Sequence, residues 1–205
     1  MNIKINFDEI YNQIKFRKRV LTSKEIINFS KLLERNYDED LFHGAILCIS
    51  LGSKYLEENP YWVKQFFNYS LNDYDKSALF DSLSYANITK YYLEELLDYL
   101  DIKKALNGKE MSCSSALHTL GQYVYLTKDQ KIYKKILDEN HLSVKVYIEK
   151  EKIHEENLED YEFYLKACYQ SLLFSTEGPK SYQGAITLNE IIKNIPLAPR
   201  LGNKK

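Results

Sequence analysis

Three short runs, Gly44-Ala45-Ile46, Ser77-Ala78-Leu79 and Ser115-Ala116-Leu117, each open an apolar helical stripe, and each stripe is followed by a second one. The aligned alanines stand 33 and 38 residues apart, the length of one helix hairpin with its loops. The first stripes carry Ala45, Ile46 and Ile49, then Ala78, Leu79 and Leu83, then Ala116, Leu117 and Leu120. The second stripes carry Val63, Phe66 and Phe67, then Leu93, Leu96, Leu97 and Leu100, then Ile132, Ile136 and Leu137. A single hairpin cannot bury such faces, so the period predicts stacked pairs that present a long surface to a partner. Alanine at the aligned position lets two helix backbones approach while flanking Leu and Ile fill the grooves beside it. The expected fold class is all-α, built of stacked antiparallel helix hairpins, with an irregular helical bundle as the arrangement the same stripes also permit.

Composition agrees. With 7 Gly and 4 Pro in 205 residues, the chain has too little punctuation for a sandwich of many short strands, whereas long helices need little. A chain of this length buries roughly 70% of its unfolded surface and needs no metal or disulfide to fold. The three cysteines, Cys48, Cys113 and Cys168, are widely spaced among apolar residues and are expected to pack as reduced, buried hydrophobes. The amino-terminal residues lack a continuous apolar core of signal-peptide length, and no stretch approaches membrane-spanning length, so a soluble cytoplasmic protein is expected. The boundaries expected are one domain over 1–205, with capping helices over 1–37, repeat units over 38–140, and closing helices and a tail over 141–205.

Local signals place several helix ends. Thr22 with Glu25, and Thr127 with Gln130, fit the capping box. Ile26, Ile27, Phe29, Leu32 and Leu33 follow the first, and Ile132, Tyr133, Ile136 and Leu137 the second. Asn59-Pro60 marks another start, with Trp62, Val63, Phe66 and Phe67 on one face. Residues 7–20 should form a capping helix with Ile10, Ile14 and Val20, and Glu156 to Phe174 with Tyr182 to Ile195 should form a closing pair around Gly178-Pro179. Ile3, Ile5 and Phe7, and Leu142 to Ile148, alternate with period two, and are read as helix ends or extended linkers in preference to strands.

Chemistry is harder to find. His43 and His118 lie in first helices, while His141 and His154 lie elsewhere, and none pairs at ligand spacing. No two glycines fall closer than 6 residues apart, which leaves no phosphate-cradling loop. Ser112, Ser114 and Ser115 around Cys113 are expected to cap a helix start, not to serve as nucleophiles. No catalytic residue, metal or cofactor is expected. Net charge is −1, and Arg contributes only 4 of 28 basic residues, so nucleic acid is an unfavoured partner. The basic run Lys15 to Arg19 is read as the last turn of a helix, where cations complement the macrodipole.

What remains is surface. Glu94, Glu95, Asp98 and Asp101 form an acidic stripe opposite Leu93, Leu96, Leu97 and Leu100, with Tyr91 beside it. The chain holds 18 Tyr, a residue enriched where proteins meet because it offers broad contact with few rotatable bonds. Tyr61, Tyr69, Tyr91 and Tyr99 flank the second stripes, and with the four acids they make up the expected protein-binding face.

Ser115-Ala116-Leu117-His118-Thr119-Leu120-Gly121-Gln122-Tyr123 resembles the first helix of a HEAT-type repeat, and Tyr92-Leu93-Glu94-Glu95-Leu96-Leu97-Asp98-Tyr99-Leu100 resembles a second helix. The resemblance spans about residues 38–140 and implies an α-solenoid that binds something, with no active site of its own. A tetratricopeptide match through Leu120-Gly121 is out of register at the expected Tyr. The expected function is a non-enzymatic binding module, an immunity protein that neutralises a cognate bacterial toxin by occupying its basic site. The alternatives are a HEAT-like nucleic-acid-binding protein or DNA glycosylase, and a scaffold or regulatory adaptor.

Overall fold

The helix α3, Glu39–Gly52, organises the amino-terminal part of the chain because it is apolar on nearly every side. Phe42, Ala45, Ile46 and Ile49 are buried on one face, and Cys48, Ser50 and Gly52 are buried to either side of it, so that well over half of the helix circumference is covered. Such a helix needs neighbours on several faces. In the computed structural model, which describes residues 5–17, 19–35, 39–100, 104 and 108–136, it has them. α1 (Phe7–Arg17), α2 (Ser23–Arg35) and α5 (Asp73–Tyr85) all pack against α3. Between α3 and α5 lie the short α4 (Tyr55–Glu58) and a 3-10 helix, Pro60–Asn68; a 3-10 turn, Thr89–Tyr91, follows α5.

α1 approaches α3 at two glycines. A Cβ on Gly44 would stand 2.4 Å from the Phe7 Cβ, and one on Gly52 would stand 2.7 Å from the Ile14 Cδ1 and from the Leu21 Cγ. Because Phe7 meets Gly44 and Ile14 meets Gly52, α1 runs parallel to α3. α2 returns between them in the opposite sense: the Leu21 N–H donates to the Gly52 carbonyl at 2.7 Å, and Phe29 meets Phe7 edge to face at 5.0 Å.

The start of α2 is the capping box expected of Thr22 and Glu25. The Glu25 carboxylate accepts from the Thr22 N–H at 2.9 Å and from its hydroxyl at 2.8 Å, while Thr22 Oγ1 accepts from the Glu25 N–H at 3.3 Å. The Thr22 N–H holds the Glu25 carboxyl below its ordinary range, with Arg19 adding to the effect. Phe29 and Leu33 are buried as the stripe requires, but Ile27 is exposed on the far side.

The chain divides into two compact units, Met1–Tyr92 and Leu93–Lys205. In the second, α6 (Leu93–Leu97) passes into a 3-10 turn, Asp98–Leu100, and both pack on the long α7 (Glu110–Thr127), which also meets α8 (Gln130–Lys135). Leu96, Leu100, Cys113, Ala116, Leu117, Leu120, Val124, Ile132 and Ile136 are buried. The described residues are predominantly helical with no strand, so the fold is all-α. Ala45, Ala78 and Ala116 are each fully buried. The unit boundary falls inside the middle predicted hairpin, between the Ala78 helix and the Leu93–Leu100 stripe.

Several local expectations need correction. Thr127 does not start a helix; it ends α7. Lys128 then takes a left-handed conformation at φ 59°, its N–H returning to the Val124 carbonyl at 2.8 Å. The cap of α8 is Asp129, which accepts from the Lys131 and Ile132 N–H groups at 3.0 and 3.1 Å. Ser112 does not cap a helix start, because α7 begins at Glu110; its hydroxyl donates back to the Lys109 carbonyl at 3.2 Å. Val20 lies beyond α1 and is 73% exposed, so the inward face of that helix is Phe7 and Ile14. The Pro60 helix starts where expected but winds as 3-10. Phe7 opens α1, and Ile5 belongs to no regular element. Leu137, the 142–148 segment, the closing helices and tail, Cys168, His141 and His154 lie outside the described residues.

Replacing Gly44 with Ala should destabilise the protein by about 1–3 kcal/mol, since the added carbon meets the Cβ of a packed residue near the backbone, and overpacking of that kind outweighs the roughly 1 kcal/mol gain in helix propensity. Gly52→Ala should cost less, because two of the three atoms it meets are terminal methyls of Ile14 and Leu21 that can turn aside. Urea unfolding of both variants checks the order.

Candidate protein-binding surface

The residues expected to form one face are shared between the two units. Tyr61, Tyr69 and Tyr91 belong to the first, and Glu94, Glu95, Asp98 and Tyr99 to the second. Asp101 lies outside the described residues.

In the first unit the 3-10 helix Pro60–Asn68 is fixed by rings. Phe66 is fully buried and stands edge to face with Phe42 at 5.5 Å, Trp62 at 4.9 Å and Tyr69 at 5.4 Å. The Trp62 indole N–H donates to the Glu34 carboxylate at 2.8 Å, tying the helix to α2. On its other side Phe67 stacks on Tyr92 at 5.3 Å, and the Tyr92 hydroxyl donates to the Pro60 carbonyl. A nine-residue 3-10 run is long for that geometry, and these anchors account for its persistence.

Tyr61 and Tyr91 are carried on the two segments that Tyr92 joins. Their rings meet edge to face at 5.2 Å, with Tyr61 66% and Tyr91 38% exposed. Lys90 places its ammonium 4.9 Å from the Tyr91 ring centre. This is a pre-positioned aromatic pair at the surface, whereas Tyr69 is half-buried against Phe66.

In the second unit the acidic residues do not continue as one α-helical stripe, because the winding tightens from α to 3-10 after Leu97. Glu94 is exposed and Glu95 half-buried. The Asp98 carboxylate is engaged: the Lys104 ammonium pairs with it and also donates to the Asp98 carbonyl at 2.8 Å. The same ammonium lies 5.0 Å from the centre of the Tyr99 ring. Lys104 therefore offsets half the charge that Glu94 and Asp98 present to solvent.

A third group was not visible in the pattern of stripes. His43 of α3 stacks on Tyr74 of α5 at 3.8 Å, their planes 6° apart. Burial pulls the His43 pKa down, opposed by the Asp75 carboxylate, the Tyr74 backbone and Asp8. Asp75 is fully buried. In sequence it looks like an ordinary first-turn acid, since Asn72 caps the helix by accepting the Asp75 N–H at 2.8 Å. Nearby, burial, Asp81 and a hydrogen bond with Tyr11 push the Tyr85 phenol up to about 12, and burial pushes the Cys48 thiol up to about 12. Cys48 is thus a packed thiol, not a nucleophile. Among the described residues no cluster of His, Cys, Asp and Glu could hold a metal ion, Cys48 and Cys113 are buried thiols, and no helix is long and apolar enough to cross a membrane.

Of the basic run, Lys15 is exposed and Arg19 is engaged. Lys15 and Arg17 close α1, and Arg19 is held by Gln13 and Glu25 in the turn that follows. Compared with known proteins, the chain matches no family model, no curated protein and no solved structure.

Because the native state resists protonating His43, it binds fewer protons than the unfolded chain below about pH 6.5. Stability contributed by neutral His43 is complete above that pH and is lost as the pH falls. The urea midpoint should drop between pH 7.5 and 5.5, and His43→Gln should reduce that drop. An equal drop in both proteins would assign the effect elsewhere.

Proposed function

We propose that the protein is a non-enzymatic protein-binding module, acting in the bacterial cytoplasm as an immunity protein that neutralises a cognate toxin. The observation that carries the binding reading is the Tyr61–Tyr91 pair, two exposed rings held in fixed relation by a buried aromatic anchor beneath them. Rings already ordered lose little conformational freedom on association, and Tyr is among the residues that dominate binding energy at interfaces. Taken by itself, the second unit carries Glu94 and Glu95, acids suited to a basic partner surface. The toxin assignment rests on analogy with small bacterial chains of Lys-, Asn-, Ile- and Tyr-rich composition that act by binding.

The direct test is coexpression with the product of the neighbouring reading frame. The expected result is rescue of growth and a one-to-one complex. Absence of both would remove the immunity assignment. Within such a complex, Tyr61→Ala with Tyr91→Ala should weaken binding by about tenfold or more. Glu95→Lys should slow association more than Asp98→Lys, and more so at low salt, because the charge of Asp98 is already met by Lys104. Equal effects of the two reversals would show that the Lys104 pairing does not shape the surface.

A further inference from the structure

Three residues per turn bring Tyr61, Lys64 and Phe67 into line along one ridge of the 3-10 helix Pro60–Asn68. The ridge is flanked by the turn that carries Tyr91 and Tyr92, whose rings meet Tyr61 and Phe67 in turn. Its charges are positive. Lys64 is exposed in the middle, the Lys90 ammonium lies 4.9 Å from the Tyr91 ring centre, and the Lys76 ammonium lies 5.9 Å from that of Phe67. Glu57 and Glu58 precede Pro60, at the Tyr61 end, and the Glu34 carboxylate is occupied by the Trp62 indole.

The geometry points to a partner segment that is acidic and apolar together: an extended or helical stretch of another protein whose apolar side chains cover Tyr61 and Tyr91 while its carboxylates reach Lys64 and Lys90. The inference rests on the reading of the tyrosine pair as a contact surface and adds the chemistry of what it contacts. Two physical features select this occupant. Lys64 follows Tyr61 by one 3-10 turn and Lys90 holds its ammonium over the Tyr91 ring, so a segment laid along the tyrosine pair passes both ammonium groups. Basic segments are disfavoured there, because they would place cations against cations that the tyrosine faces already attract. The acidic residues of the second unit take no part.

A short fluorescent peptide in which Glu alternates with Leu is the probe, with a Lys-Leu peptide of the same length as control. The whole protein should bind the acidic peptide, more weakly as salt rises, and bind the basic one at least about tenfold less well. Lys64→Glu with Lys90→Glu should reduce binding of the acidic peptide about tenfold with circular dichroism unchanged, and Lys64→Arg with Lys90→Arg should retain it. No binding of the acidic peptide, equal binding of both peptides, or indifference to the reversal would overturn the inference. The natural complex separates it from the reading beneath it. If Tyr61→Ala with Tyr91→Ala weakens that complex while the lysine reversal does not, the contact surface stands and its acidic partner does not.

Discussion

Close approach between α1 and α3 is the constraint on which the first unit depends. α3 is too apolar to tolerate water on any broad side, and its enclosure needs a helix to settle directly on its backbone at Gly44 and Gly52. Once α1 is seated, the direction of α2 follows, since Leu21 must reach Gly52 and Phe29 must reach Phe7. α5 then covers another side. The surface aromatics come last in this hierarchy: Phe66 rests on Phe42 of α3, the 3-10 helix rests on Phe66, and the exposed Tyr61 rests on that.

Much of the architecture was legible because it follows from local rules. Apolar spacing identified the helical segments, and the burial of Ala45, Ala78 and Ala116 agrees with their place in the stripes. The Thr22–Glu25 box could be read because both partners are near in sequence and no competing acceptor intervenes. At Thr127 the same pattern misled. Asp129 is the stronger cap two residues on, and the left-handed Lys128 lets α7 run through Thr127 first. The stripes assign close approach to the aligned alanines, whereas α1 settles on α3 at two glycines, one beside an aligned alanine and one at the end of α3.

The candidate surface was less legible, for reasons that lie in three dimensions. Spacing placed Tyr61 and Tyr91 near second-helix stripes, yet their contact depends on Tyr92 reaching Pro60 across an intervening helix. Lys104 could not be assigned to Asp98 without the change in winding after Leu97. Asp75 carries every mark of a solvated first-turn acid, and only packing of α5 against α3 puts it inside beside His43. Side chains that satisfy one another over long sequence separations leave little trace in periodicity.

The sole tryptophan of the chain stands where these relations converge. Its indole is bonded to Glu34 of α2, edge-on to Tyr55 and in contact with Phe66 above α3. Its ultraviolet emission is therefore a built-in reporter of the first unit alone: quenching and wavelength track the junction of α2 with the 3-10 helix, whatever the remainder of the polypeptide is doing.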